Sequence, residues 1–278
     1  MSHLPAPAEL VQAAGLAAQS HLQRVLVAEL ARVQRLPSPP APKLGPGVGA
    51  VPFEAALRRD AALRGGAIIA EYKQASPSLG PFAMGTPLLP QLQAYRDGGA
   101  SAFSILAEPA YFHGSSEQLK AAAELGLPRL YKGFVIAEAQ LAEAAATGAE
   151  AVLLIVRVLR GHTAAFAQAA RARGLEPLIE LHDLTEVAFA QAAEARLVGI
   201  NARDLATFTL GEPTALPLRR AFPEAVLIRE SGLATPEAAR AALRAGFDAV
   251  LIGEALMRSA DPGGFLARTL LNLRPEVP

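Results

Sequence analysis

From Ala67 onward the chain repeats one pattern: a short apolar run, a turn, then an Ala-rich stretch with apolar positions at helical spacing. The runs are Ala67–Tyr72, Ala102–Leu106, Arg129–Phe134, Ala151–Val156, Glu176–Leu181, Leu197–Asn201, Ala225–Glu230 and Ala249–Ile252. Such near-continuous apolar runs predict strands buried on both faces, as in a parallel sheet. Between them the spacing predicts helices over Leu88–Asp97, Ser116–Leu125, Glu138–Thr147, Thr163–Arg173, Leu184–Glu194 and Pro236–Ala245. Gly98, Gly148 and Gly246 follow helical stretches and suit chain reversals into the next strand. Strand–helix units repeated eight times predict a closed (β/α)8 TIM barrel, a fold of ~250 residues. The competitor is an open doubly wound sheet, which usually has fewer strands; the first strand here also lacks the glycine fingerprint of that fold.

Upstream, residues 8–34 carry a helical pattern with apolar Leu10, Val11, Ala14, Leu22, Val25, Leu26 and Leu30, broken near Gly15. So few charges predict a helix packed against the barrel as a flank or lid; the alternative is a disordered tail. Five prolines between Pro37 and Gly49 read as a semi-rigid linker, and Phe53–Arg64 as a further helix. The expected organisation is an N-terminal helical segment and linker over residues 1–49 and a barrel over 50–278.

Composition narrows the function classes. Hydrophobic residues make up 51% and charged residues 19%, enough for a large core. The 26 basic and 26 acidic residues balance, which favours neither nucleic acid nor an acidic membrane as partner. Cysteine is absent, so disulfides, thiolate metal sites and a cysteine nucleophile are excluded together. The histidines (His3, His21, His113, His162 and His182) are scattered, with no close metal-binding pair. No basic leader with an apolar core precedes the pattern, and no apolar run reaches ~18 residues, so a cytoplasmic protein is expected.

In barrels of this kind the active site lies at the C-terminal ends of the strands. Glu71 and Lys73 alternate at the end of the first strand and so share a face, with Tyr72 on the other. Lys132 lies on the third strand, Glu180 on the fifth, Asn201 and Arg203 end the sixth, and Glu230-Ser231-Gly232 ends the seventh. Any one of these alone is as well read as a rim charge paired with a neighbour. Together they describe a mouth where lysines and glutamates perturb one another's ionisation, as acid and base work near neutrality requires. Ser231-Gly232 and Ile252-Gly253-Glu254 are turns after the last two strands, where barrels commonly bind phosphate.

The segments IIAEYKQASPSLG, SILAEPAYFHGSSEQL, LPRLYKGFV, GAEAVLLIV, LEPLIELHD, VGINARDLATF, RESGLATPEAA and AVLIGEALMR, in this order, resemble the indole-3-glycerol phosphate synthase family across the whole barrel. The resemblance implies ring closure of a carboxyphenylamino-deoxyribulose phosphate with loss of carbon dioxide and water, without metal or organic cofactor. It implies Lys132 as general acid, Glu180 as general base, Glu71 and Lys73 as a catalytic pair, and Asn201 and Ser231 at the reacting centre. Ser76, Phe112, Leu153, Arg203, Leu205 and Glu230 match substrate-binding positions, and Gly232, Ile252, Gly253 and Glu254 the phosphate turns. A phosphorylated small molecule is the implied partner, with no nucleic acid and no membrane, and a monomer is expected rather than a homodimer.

The chain departs from the family pattern at several positions. Gly133 stands where the family usually has an aspartate after the lysine, Ala107 replaces a threonine, Gln74 an arginine and Ala202 a polar residue. A barrel that binds a sugar phosphate without closing the ring therefore stays open as the alternative. A neighbouring isomerase of phosphoribosylanthranilate is excluded in its usual cysteine-dependent form.

Overall fold

The computed structural model describes residues 4–14, 20–40, 52–77, 79–203, 211 and 213–273. Eight parallel strands close into one barrel: β1 (Ala67–Tyr72), β2 (Ala102–Leu106), β3 (Arg129–Lys132), β4 (Ala151–Ile155), β5 (Glu176–Leu181), β6 (Leu197–Asn201), β7 (Val226–Glu230) and β8 (Ala249–Ile252). Each pairs with its successor, and β8 closes on β1 with Ala67 opposite Ala249 and Ala70 opposite Ile252. The apolar runs are buried along almost their entire length, which explains their lack of polar alternation.

Two expected strands end early for local reasons. β3 stops at Lys132 because the chain turns away at Gly133-Phe134, where the Gln140 side chain takes the Phe134 carbonyl at 2.9 Å. β4 stops at Ile155 because Val156–Leu159 coils into a short helix. Three helices that the spacing did not predict follow β6, β8 and the last turn: Ala215–Ala221, Glu254–Arg258 and Pro262–Leu270. The last is capped by Asp261, whose Oδ1 accepts from Gly264 N at 2.8 Å.

The N-terminal pattern resolves into α1 (Pro7–Ala13) and α2 (His21–Val33); Gly15 and most of the proline-rich stretch, with the expected boundary at residues 49 and 50, lie outside the described residues. Leu10, Leu22, Val25 and Leu26 are at most 2% exposed. A polar network also docks α2. Arg32 bridges Glu29 at 3.1 Å and Glu143 at 2.9 Å and donates to the Tyr131 hydroxyl at 3.2 Å, while Gln140 Nε2 donates to Glu29 at 2.7 Å. Within the described residues, then, the segment packs on the barrel and is not a free tail.

Helix α3 (Phe53–Arg64) closes the N-terminal end of the barrel. Its start has no side-chain cap of its own; Glu176, first residue of β5, accepts from Phe53 N at 2.9 Å and Glu54 N at 2.7 Å. Gly65, at φ 81°, ends it in the left-handed conformation that glycine adopts without strain. With Phe53 and Leu57 fully buried underneath, the open mouth lies at the opposite, C-terminal ends of the strands.

Candidate active site

Strand alternation places the charged residues. Glu71 points into the barrel while Tyr72, on the other face, donates to the Thr86 carbonyl at 2.6 Å. Lys73, one turn of the pleat beyond Glu71, reaches its Oε1 at 2.9 Å. Ser104 on β2, the register partner of Glu71, donates to Oε2 at 3.4 Å. From β3, Lys132 Nζ lies 2.6 Å from Glu230 Oε2, 3.7 Å from Glu71 Oε2 and 3.9 Å from Glu180 Oε2. Groups far apart in the chain thus meet around one ammonium.

Their ionisation follows from this crowding. Burial pulls the Lys132 ammonium down, yet Glu230, Glu71 and Glu180 together hold it well above the ordinary lysine value. Burial pushes the Glu71 carboxyl up, but Lys73 and Lys132 more than reverse this and keep it ionised. Glu230 behaves oppositely: burial pushes it up to about 7, Lys132 opposes this, and Glu180 beside it adds to it. Its Oε1 is buried without a hydrogen-bond partner among the described residues. Two ammonium groups, Lys73 and Lys132, thus face three carboxyl groups, Glu71, Glu180 and Glu230, and Glu230 is the one that burial drives toward its protonated form.

Above this cluster opens a cavity of about 650 Å³. Of the residues expected at the site, Glu71, Lys73, Ser76, Phe112, Lys132, Leu153, Glu180, Asn201, Arg203, Ser231, Gly232, Ile252, Gly253 and Glu254 line it. Glu230 is different: at 1% exposure it lies beneath the floor and meets Lys132 from below. Leu205 lies outside the described residues. Asn201 Oδ1 accepts from Arg203 N at 3.0 Å, fixing the turn that brings Arg203 to the rim. Ser231 and Gly232 both have positive φ, 63° and 75°; for a serine this is a strained conformation of the kind found at functional turns. The Glu254 carboxylate is offset by Arg258 at 3.3 Å and Arg203 at 4.0 Å.

Two residues that hold the aromatic wall have no marker in the strand-end pattern. Phe112 and Phe134 face one another with ring centroids 5.9 Å apart and planes tilted by 34°. Glu108, 1% exposed, accepts from Ala110 N, Tyr111 N and Phe112 N at 2.8, 2.8 and 3.1 Å and so moulds the loop that carries Phe112. Gln140 does the same for Phe134, accepting from Ile136 N and Ala137 N at 2.7 and 3.0 Å. The available signal was a carboxylate and an amide inside apolar surroundings, each close in sequence to a pocket aromatic. The departures Gly133 and Ala107 prove to be neighbours: a Cβ on Gly133 would lie 3.8 Å from the Ala107 Cβ.

Comparison with known proteins places the chain in a family. The sequence model described as indole-3-glycerol phosphate synthase matches residues 43–269. The chain is 39% identical over 273 residues to the indole-3-glycerol phosphate synthase of Lactiplantibacillus plantarum, covering 97% of this chain and 98% of that protein. It is 42% identical over 210 residues to the synthase of the same name from Chloroherpeton thalassium, covering 74% of this chain and 81% of that one. Among solved structures, thiamine phosphate pyrophosphorylase from Pyrococcus furiosus superposes with a TM-score of 0.54 at 14% identity, over 74% of this chain and 94% of that one, a likeness of fold alone. Similar to such relatives over nearly its whole length, and with lysines and glutamates converging at the barrel mouth, the chain belongs to the indole-3-glycerol phosphate synthase family.

Proposed function

We propose that the chain closes the indole ring: it converts a carboxyphenylamino-deoxyribulose phosphate to indole-3-glycerol phosphate, carbon dioxide and water. The observation that carries this reading is Lys132, an ammonium held at the cavity floor by Glu230, Glu71 and Glu180. The ring carbon bearing the carboxylate attacks the ketone carbon of the sugar chain, and Lys132 stabilises and protonates the developing oxyanion. An ammonium held so firmly gives up its proton only to a strongly basic oxygen, which an alkoxide is. Loss of carbon dioxide restores the aromatic ring; the new hydroxyl then takes a proton from the Lys73 ammonium and leaves as water, as Glu180 takes the remaining carbon-bound proton. Glu71 and Lys73 form the adjoining wall, and Asn201 and Ser231 complete the reacting centre.

The cavity also suits the substrate's shape. Phe112, Phe134 and Leu153 offer an apolar slot for the aryl ring, and Arg203 a partner for its carboxylate. Gly232, Ile252, Gly253 and Glu254 form the phosphate end, with Ser76 and Lys73 alongside. Folding a flexible chain back on itself is the larger part of the task, and such positioning is worth ~7–11 kcal/mol in well-oriented intramolecular reactions. Within the same reading the working form is a monomer in the cytoplasm: among the described residues no helix is long and apolar enough to cross a membrane, and of exposed Val27, Leu63, Leu79, Met84, Leu184, Leu216 and Leu271 only Leu79 and Met84 share a segment.

With no tryptophan in the chain, indole fluorescence of product rises over a low protein background. Turnover of the carboxyphenylamino-deoxyribulose phosphate is expected, falling at least ~10²-fold in Lys132→Ala. A folded wild-type protein that gives no product overturns the assignment and leaves a non-catalytic barrel. Full rate in Lys132→Ala overturns the role of the lysine.

A further inference from the structure

The turn after β5 carries a buried histidine that the roles above leave unused. His182 lies two residues beyond Glu180, on the same face of the chain, and its side chain is 2% exposed. Its Nε2 is 3.5 Å from Glu180 Oε1, and its Nδ1 is 3.7 Å from Glu186 Oε2. Glu186 is itself fixed: Oε2 accepts from the backbone N–H of His182 at 2.7 Å, and Oε1 accepts from Arg157 Nε at 3.4 Å. Arg157 also reaches Asp183 Oδ2 at 3.2 Å, at the exposed rim. A line of charged groups therefore runs from the cavity floor to solvent: Glu180, His182, Glu186, Arg157, Asp183.

A neutral imidazole between two carboxylates must turn a lone pair toward one of them, whereas an imidazolium offers N–H to both. Burial pulls the His182 ring toward the neutral form, but Glu186 and Glu180 outweigh burial and the opposing Arg157, so the ring is driven above its ordinary value. The geometry shows why Glu180 needs such a partner. Lys132 spends its closest contact on Glu230, at 2.6 Å, and lies 3.9 Å from Glu180. His182, at 3.5 Å, is nearer, and its two buried ring nitrogens make no hydrogen bond among the described residues, so a protonated ring meets Glu180 by charge.

We propose that His182 is a positioning residue for Glu180: set between Glu186 and Glu180, its ring keeps the Glu180 carboxylate aimed into the cavity. The inference rests on the reading of Glu180 as general base. The charged groups facing the ring are Glu180, Glu186 and Arg157, with Asp183 beyond them, and Lys132 and Glu230 on the far side of Glu180. Removing the ring leaves Glu180 facing Glu230 with only the more distant lysine beside it, so its aim loosens and the acid limb of the rate profile is expected to move to higher pH.

The test uses the full chain and the product-fluorescence assay across pH. His182→Gln is expected to lower kcat about 10- to 100-fold with KM within about twofold, and to move the acid limb of the kcat profile to higher pH. Glu186→Gln, which loosens the clamp without touching Glu180, is expected to move the limb the same way by less. If Glu180→Gln keeps wild-type rate, the base assignment fails and this inference with it. If Glu180→Gln is inactive while His182→Gln keeps both kcat and the acid limb, only the positioning role is overturned. A His182→Gln whose kcat and KM fall away together with an unmoved limb also overturns it. Should that variant not fold, an unmoved limb in Glu186→Gln is the overturning result.

Discussion

Gly199 on β6 packs so closely on Glu230 of β7 that a methyl group at Gly199 would overlap the carboxylate Oε1. The glycine is therefore the space into which the floor carboxylate fits while its other oxygen meets Lys132. Gly253 stands in the same relation to Glu71. Gly199→Ala is expected to swing Glu230 off Lys132 and reduce kcat by about tenfold or more, because displacement by an ångström is felt strongly at a reacting centre. Steady-state kinetics beside a melting curve checks this; an unchanged kcat means the Lys132–Glu230 contact has no part in turnover.

Glu108 governs substrate affinity in the same indirect way. Its carboxylate gathers three N–H groups of the Phe112 loop, and an amide turned into that site would offer a donor where an acceptor is needed. A buried hydrogen bond lost this way costs about 1–3 kcal/mol. Glu108→Gln is expected to raise KM about tenfold while kcat changes by less than about threefold, since Phe112 loosens and Lys132 does not.

The pair Gly133 and Ala107 forms an apolar join between β2 and β3, with Ala107 N donating to the Lys132 carbonyl at 2.8 Å. A lone aspartate at Gly133 would be buried beside the Ala107 methyl and the Tyr131 ring. Gly133→Asp is expected to cost about 1–3 kcal/mol in urea unfolding, and Ala107→Thr in the same chain to recover part of it by supplying a hydroxyl. Equal losses in the single and double variants would show that the two positions do not communicate.

Stability should fall between mildly acid and mildly alkaline pH. Burial pushes Glu29 up to about 7 and Arg32 offsets only part of this; Glu230 is pushed up to a similar value. Between about 4.5 and 7 the folded chain keeps protons there that the unfolded chain has released, so stability drops as pH rises through that window. His182 acts in the same direction, its stabilisation present at low pH and lost as pH rises through its raised value. Glu71, held below its ordinary value, matters only in stronger acid. Calorimetry at about pH 5.5 and pH 8 should give the higher Tm in acid, and Glu29→Gln should shrink the difference.

The barrel was legible because each strand is buried on both faces and so writes itself as an uninterrupted apolar run. β1, β2, β5, β6 and β8 agree with that pattern residue for residue. β3 and β4 end early because side-chain capping and a short helix, neither visible in hydropathy, take over the backbone. The strand-end charges were legible too, since alternation alone puts Glu71 and Lys73 together. What stayed hidden were polar residues whose partners are backbone groups or distant side chains. Glu108 serves its own loop, Gln140 joins Glu29 from a helix far upstream, and His182 read as one of several scattered histidines. Glu230, expected as a substrate-binding position, does not line the cavity but lies buried beneath it against Lys132.

The docking of α2 has a consequence for the order in which the chain is made. Glu29 and Arg32 precede their partners Gln140 and Glu143 by 111 residues. At ribosomal speeds that interval is on the order of 10 s. Until then α2 lacks these two partners, and Leu22, Val25 and Leu26 have little besides α1 to pack on. The first helices of the chain thus wait until about half of it has been made, and a nascent chain stalled before Gln140 exposes a sticky leading end.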